Sequence, residues 1–294
     1  MSITANADAR SGRPVRIGAV NYLNTKPLVR GLAESLPAAE VEFEVPSRLA
    51  DRLASGELDV ALAPAIEVAR HPEWSITSTA CIGCRGPVLS VKLLFRRPPA
   101  EVRTLALDEG SRTSVVLAQI LLAEIVGVRP AVVPLPLDAP LDSVEADALL
   151  VIGDRAIKQD VTPFVEAWDL GDRWLRWTEL PFVFAVWAAR PGFDAAEIEA
   201  ALEAARDRGV RDLELIVAEQ ATAMRLPAEL VRTYLRDNLN FYLAAGERRG
   251  LEAYLRKAEA LGLISPRAGA VPGPRGGPAA DARVDRAEQC SCGE

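Results

Sequence analysis

One short segment of this chain places amide, hydroxyl and ammonium groups directly after an apolar run. The run Val15–Val20 is typical of a short buried strand, and Asn24, Thr25 and Lys26 follow it where a helix begins. The start of a helix offers unpaired N–H groups and the positive end of the helix dipole, so it binds carboxylates and phosphates readily. The segment therefore indicates an anion site, although ordinary helix capping is an alternative for a single hydroxyl.

A second segment repeats this arrangement later in the chain. The strand-like run 104–107 is followed by Ser111, Arg112, Thr113 and Ser114, again at the start of a predicted helix, which extends to residue 126. Capping alone could explain Ser111 or Thr113. Two such turns, one in each half of the chain, would face each other across a cleft that holds an anion.

Two further polar residues accompany predicted strands. Ser90 interrupts the apolar strand 89–95, and a buried hydroxyl there needs a hydrogen-bond partner, either a neighbouring carbonyl or a ligand. Asp154 follows the strand 148–152, where its side chain could face a cleft or cap the next helix.

The residue sets of several common catalytic sites are missing. His71 is the single histidine, and the chain contains no nucleophile-elbow, phosphate-loop or dinucleotide-binding motif. Cys81 and Cys84 form a C-x-x-C pair that could be a redox motif, half of a metal site, or two small packed residues; Cys290 and Cys292 lie near the end of the chain. A zinc site needs four ligands, and His71 has no partner at ligand spacing.

The composition narrows the class of partner. Of 294 residues, 49% are hydrophobic, and the formal net charge is −7, with no clustering of Lys and Arg that would suit a nucleic acid. No apolar run approaches the roughly 18 residues of a membrane span, and the first residues do not resemble a secretion signal. We therefore expect a soluble cytoplasmic protein that binds a small molecule, and neither nucleic acid nor membrane.

Alternating strand and helix patterns predict an α/β protein with two lobes. We expect disorder over 1–14 and 266–294, a first lobe of 15–96 plus 188–265, and a second lobe of 97–187. Ligands of such sheets lie at the carboxyl ends of the strands, here in the cleft between the lobes. The last part reads as helices over 194–209, 212–224, 227–242 and 247–262, the first of them closed by Gly209.

These same residues resemble the chorismate dehydratases of the futalosine route to menaquinone, which have the periplasmic-binding-protein-like type II fold. The resemblance covers about residues 15–264. It is carried by IGAVNYLNTKPL (17–28), LASGELDVALAPAIEVAR (53–70), CIGCRGPVLSVKLLF (81–95), LALDEGSRTSVVLAQILL (105–122), ADALLVIGDRAI (146–157), DLGDRWLRWTELPFVFAVWAAR (169–190) and YLRDNLNFYL (234–243).

The resemblance implies a lyase that removes water from chorismate without a metal or cofactor. The family is thought to use the enolpyruvyl carboxylate of the substrate as the base. Carried over by motif, Asn24 and Ser90 are the expected catalytic pair. The expected substrate-binding residues are Thr25, Thr113, Ser114, Arg112 and Asp154.

The chain departs from the family pattern at two positions. Glu179 stands where glycine is expected, and its charge would oppose an anionic ligand if it faced the cleft. Cys84 stands where a small residue or serine is common.

Three other functions remain open. The protein could bind a small carboxylate without reacting, since this fold often does so. It could be the related 1,4-dihydroxy-6-naphthoate synthase, although the S-P-C-P-N-D start of that enzyme is missing. It could be a thiol enzyme that uses Cys81 and Cys84.

Overall fold

The computed structural model describes residues 13–265, which form two mixed β-sheets with helices packed around them. The strands are β1 (Arg16–Val20), β2 (Glu40–Glu44), β3 (Val60–Pro64), β4 (Ser75–Cys84), β5 (Val91–Phe95), β6 (Thr104–Asp108), β7 (Ala131–Leu135), β8 (Ala148–Ile152), β9 (Glu166–Asp169), β10 (Phe182–Ala189) and β11 (Asn240–Tyr242).

The helices are α1 (Leu32–Ser35), α2 (Pro46–Ala54), α3 (Glu67–Arg70), α4 (Thr113–Leu121), α5 (Gly153–Lys158), α6 (Leu170–Thr178), α7 (Ala196–Arg211), α8 (Leu213–Met224), α9 (Ala228–Thr233) and α10 (Ala245–Ala260). Short 3₁₀ segments cover Leu23–Val29, Pro99–Glu101 and Leu141–Ser143, and π-helical segments cover Leu122–Val126 and Tyr234–Asn238.

Each sheet forms one lobe. The first lobe is built on the order β11-β4-β10-β3-β1-β2, in which β1, β2 and β3 are parallel, and β10 runs antiparallel between β3 and β4. The second lobe is built on β7-β6-β8-β5-β9, in which β6, β7 and β8 are parallel and β5 is antiparallel to both of its neighbours. The two-lobed α/β architecture predicted from the sequence is confirmed.

The sheets divide the chain at different points from the predicted lobe boundaries of 96 and 188. Strand β5 pairs with β8 and β9 in the second lobe, and β10 pairs with β3 and β4 in the first. The proline-rich segment Arg97–Pro99, which follows β5, does not mark the change of lobe. The chain changes lobe in the turn before Val91 and again before Phe182, because both apolar strands pair with partners that sequence distance does not reveal.

Several predicted elements need correction. Strand β4 was missed, because its Thr and Ser residues interrupt an apolar period in a strand that is largely buried. The predicted helix 227–242 is α9, a π-helical segment and strand β11. Gly209 lies inside α7 and does not end it: a Cβ there would be 1.9 Å from the carbonyl oxygen of Pro27, so glycine allows close packing of the helix.

The predicted disordered termini lie almost entirely outside the described residues. Within them, Arg13 was assigned to the disordered start, but its guanidinium donates to both carboxylate oxygens of Asp59 at 2.9 and 2.7 Å. Asp59 also binds Arg190, so the start of the chain is attached to the end of β10.

Candidate functional site

A cleft lies between the two lobes, where the carboxyl ends of β1, β3, β6 and β8 meet. This is the position expected for a ligand in open α/β sheets. The residues that line it are Val20, Tyr22, Asn24, Pro46, Pro64, Ile82, Val88, Ser90, Val91, Ser111, Arg112, Thr113, Ser114, Ile152, Gly153, Phe184 and Ala185.

Asn24 reaches this cleft from the first lobe, in the 3₁₀ segment that follows β1. Thr25, predicted to bind substrate, is fully buried behind it and is absent from the lining. The Thr25 hydroxyl donates to Oδ1 of Asn24 at 3.3 Å. This bond directs the amide oxygen inward and leaves the NH₂ group of Asn24 for the cleft, so Thr25 orients Asn24.

Ser90 is held by an unusual turn that connects the lobes. Its N–H donates to the carbonyl of Val88 at 2.7 Å, and Leu89 between them has a φ of 64°, which together form a γ-turn. Positive φ is costly for a branched side chain, so the surrounding structure must enforce it. The turn places the Ser90 side chain on the cleft wall.

The carboxylate of Asp169 provides this enforcement. It accepts from the N–H of Val88 at 2.9 Å and of Leu89 at 2.6 Å, and it caps α6 through the N–H groups of Gly171 and Asp172. Burial raises the pKa of Asp169, and the four N–H bonds oppose that rise. One side chain therefore joins the start of α6 to the turn that carries Ser90.

The second predicted anion segment lies opposite, at the start of α4. Ser111 acts as the cap, because its Oγ accepts from the N–H of Ser114 at 3.1 Å. Thr113 and Ser114 line the cleft as predicted. The Thr113 Oγ1 accepts from the N–H of Ile66 in the first lobe at 3.3 Å, which leaves the hydroxyl hydrogen for a ligand.

Arg112 also lines the cleft, but its guanidinium is bound by carboxylates of the first lobe. It lies 2.6 Å from Asp51 and 3.2 Å from Glu67, and Glu67 is buried. The prediction that Arg112 binds substrate is therefore not supported by its contacts: the side chain links the lobes and its charge is largely balanced. Tyr254 adds a further link by donating to the carbonyl of Thr113 at 2.9 Å.

Asp154 likewise connects the lobes and does not line the cleft. Its Oδ1 accepts from the N–H of Leu23 at 3.0 Å. Burial raises the pKa of Asp154, and the bond from Leu23 opposes that rise. In this structure Asp154 connects α5 to the segment after β1, and its role in binding substrate stays a prediction.

Sequence reasoning overlooked Tyr22, which forms one wall of the cleft. Its ring covers Gly153, where a Cβ would lie 2.9 Å from the ring and φ is +63°, so glycine is required. Burial and then the carboxylates of Asp108 and Asp154 raise the pKa of the phenol, which therefore stays protonated. Its position two residues after the end of β1 was the signal that could have identified it.

Two further aromatic residues lie at or behind the lining, Phe184 and Tyr234, of which sequence reasoning overlooked Tyr234. Phe184 lines the cleft from β10. Tyr234 is fully buried behind the lining, and its hydroxyl lies close enough to Ser90 and Asn24 for their hydrogen-bonding groups to lower its pKa, while burial raises it more strongly. No local pattern in the sequence signals this contact, since Tyr234 lies far along the chain from both.

The cysteine pair offers no activated thiol. Cys81 and Cys84 are buried and free, and burial raises the pKa of Cys84 to about 12 and that of Cys81 further.

Within residues 13–265 no group of three or more His, Cys, Asp or Glu is arranged to hold a metal ion. No helix in that range is long and apolar enough to cross a bilayer. Glu179, the other departure noted in the sequence, lies outside the cleft lining in the left-handed position after α6.

Two mixed sheets that close a cleft at their strand ends define the periplasmic-binding-protein-like class. The fold is similar to a protein of Archaeoglobus fulgidus, with a TM-score of 0.72 and 17% identity, over 87% of this chain and 100% of that one. It is also similar to the periplasmic aliphatic sulphonate binding protein of Escherichia coli, with a TM-score of 0.57 and 16% identity, over 95% and 98% of the two chains. At these identities the likeness shows the fold alone.

Sequence similarity identifies the family within that class. The family model described as menaquinone biosynthesis matches residues 15–260. The chain is 32% identical over 270 residues to the chorismate dehydratase of Thermus thermophilus. The alignment covers 85% of this chain and 96% of that relative. This chain therefore belongs to the menaquinone-biosynthesis family.

Proposed function

We propose that this protein is a chorismate dehydratase, which removes water from chorismate to give 3-[(1-carboxyvinyl)oxy]benzoate on the futalosine route to menaquinone. One observation carries the proposal beyond the family: Asn24 from the first lobe and Ser90 from the γ-turn line one cleft, opposite the start of α4. Chorismate has two carboxylates, and the cleft offers neutral donors at both of these places.

The reaction needs few groups from the protein. The proton leaves the ring carbon that bears the ether, its electron pair becomes a ring double bond, and hydroxide leaves the adjacent carbon; proton and hydroxide together make the water. The product ring is aromatic, so the equilibrium favours it. As the family resemblance implies, the enolpyruvyl carboxylate of the substrate takes the proton, and the protein contributes positioning and charge stabilisation.

The contacts of the cleft suggest a role for each side chain. Asn24, with its amide oxygen occupied by Thr25, directs its N–H groups at the substrate. Ser90 hydrogen-bonds the reacting carboxylate or the departing hydroxyl. Thr113 and Ser114, with the N-terminal end of α4, hold the second carboxylate from the other lobe.

The direct test is incubation of the purified, EDTA-treated protein with chorismate, followed by product mass and proton NMR. We expect an aromatic product that is lighter than chorismate by one water. Unchanged chorismate in the presence of folded protein would contradict the proposal. Binding without turnover would then favour a small-carboxylate binding protein, and release of 1,4-dihydroxy-6-naphthoate from its own precursor would favour the related synthase.

Two substitutions test the proposed roles. Asn24→Ala and Ser90→Ala should each lower kcat by about 10²–10³-fold, the usual effect of removing a donor that stabilises developing charge. Chorismate binding, measured by calorimetry, should weaken far less. Ser143→Ala is the matched control, because its hydroxyl donates to the carbonyl of Pro140 away from the cleft lining. Full turnover by both cleft variants would show that the roles are wrong.

A further inference from the structure

The hydroxyl of Tyr234 has no hydrogen-bond partner among residues 13–265, which the structure describes. The side chain is fully buried. Leaving such a group unpaired costs about 1–3 kcal/mol, so its presence calls for an explanation. Tyr234 also begins the π-helical segment Tyr234–Asn238, and such segments are frequent at functional sites.

The neighbours of this hydroxyl indicate what it could do. The side chains of Ser90 and Asn24 both lie beside it, and both line the cleft on their other side. Ser90 is itself buried, with 2% of its surface exposed, so its hydroxyl is shielded from bulk water. Burial and the carboxylates of Asp154 and Asp169 disfavour the phenolate, so the phenol keeps its proton and acts as a donor.

We propose that Tyr234 is a positioning residue: its hydroxyl donates to Oγ of Ser90 when a ligand fills the cleft, and thereby directs the Ser90 hydrogen at the ligand. The inference rests on the proposed function, which gives Ser90 its role. A small shift of either side chain completes the bond, because the two groups are already neighbours. In this structure the Tyr234 hydroxyl does not make that bond with any described residue.

Tyr234→Phe removes this hydroxyl and keeps the ring. We expect kcat for chorismate to fall about tenfold, the effect of losing one hydrogen bond in the transition state, while KM rises by less, at most several-fold. Tm should be unchanged or higher, because an unpaired buried hydroxyl is removed. Tyr242→Phe is the control: that tyrosine is exposed, binds Asp207 at 3.2 Å, and should keep full activity.

A double-mutant cycle separates positioning from general packing. In a Ser90→Ala background, Tyr234→Phe should have no further effect on kcat, because the hydroxyl then has nothing to position. An additive loss, or a fall in Tm that accompanies the loss of activity, would overturn the inference in favour of a structural role.

The outcome for the proposed function is separate. If the unmodified protein dehydrates chorismate and Tyr234→Phe does so equally fast, the inference fails and the function stands. If the unmodified protein does not react, the function fails, and calorimetry with chorismate decides the inference. Tyr234→Phe should then weaken binding several-fold, but not in the Ser90→Ala background, and unchanged binding would refute it.

Discussion

Replacing Asp169 with asparagine should weaken the attachment of the turn that carries Ser90, because one of the bonds that hold the turn is lost. One amide oxygen can still accept from the N–H of Val88 and cap α6, as Oδ1 does now. The NH₂ group of the new side chain would face the N–H of Leu89, so the 2.6 Å bond to Leu89 is lost. That bond holds the residue whose φ is 64°.

The size of the effect follows from this one bond. A hydrogen bond to a charged acceptor contributes about 1.5–3 kcal/mol. Burial disfavours the charged carboxylate and raises the pKa of Asp169. Replacing it with a neutral amide therefore offsets part of the free energy that is lost with the hydrogen bond. We expect the free energy of unfolding to fall by about 1–2 kcal/mol and Tm by about 2–8 °C for a chain of this size. Turnover should fall more, by about 10–100-fold, because Leu89 relaxes and displaces Ser90 by up to about 1 Å.

Thermal melts and steady-state turnover of chorismate measure the two effects independently. The control is Asp147→Asn, because Asp147 also accepts from two backbone N–H groups, those of Arg103 at 2.9 Å and Thr104 at 3.0 Å, outside the cleft lining. The control should lower Tm and leave kcat unchanged. If Asp169→Asn also lowers Tm but keeps full kcat, the γ-turn does not position Ser90 and the reasoning is refuted.

Three further substitutions test features of the fold. Glu179→Gly should raise the free energy of unfolding, measured by urea unfolding, by about 0.5–1 kcal/mol, because Glu179 has a φ of 58°, a conformation that glycine adopts more easily. An unchanged free energy of unfolding would show that Glu179 is not strained there. Burial raises the pKa of Asp154, so its contribution to stability is fully present below the unfolded-state pKa, about 4, and is lost as pH rises through the folded-state value. Asp154→Asn should remove this fall in the free energy of unfolding with rising pH, measured by urea unfolding at a series of pH values. An unchanged pH dependence would show that Asp154 does not cause it. Gly209→Ala should lower Tm, because its Cβ would overlap Pro27; overpacking costs about 1–3 kcal/mol, and an unchanged Tm would show that α7 shifts freely.

Part of the site was predictable because strand ends meet at one edge of a sheet. Asn24, Thr113 and Ser114 were predicted to face a cleft because they follow predicted strands, and Ser90 was placed there by the family resemblance; each of them lines the cleft. The sequence indicates the edge on which a residue lies.

The partner of each side chain at that edge was not predictable. Thr25, Arg112 and Asp154 lie at the same edge, yet their polar atoms bind Asn24, two carboxylates and a backbone N–H respectively. Each partner comes from a distant part of the chain or from a neighbour whose orientation depends on packing. The position of Tyr234 was not predictable for the same reason, since its contacts with Ser90 and Asn24 depend on how the segment after α9 packs in the folded protein.

The protein is acidic overall, and the hydrogen-bond donors that line its cleft are mostly uncharged. The chain carries a net charge of −7, and among the described residues that line the cleft Arg112 alone is charged, with its guanidinium paired to Asp51 and Glu67. If the cleft binds an anion as proposed, hydroxyl, amide and helix-start N–H groups must hold it, and these stabilise charge well only where water is excluded. Such donors leave the basicity of a bound carboxylate higher than a paired cation would. A cleft that uses a substrate carboxylate as its base needs that balance: enough hydrogen bonding to fix the carboxylate, and no cation that would weaken it as a base.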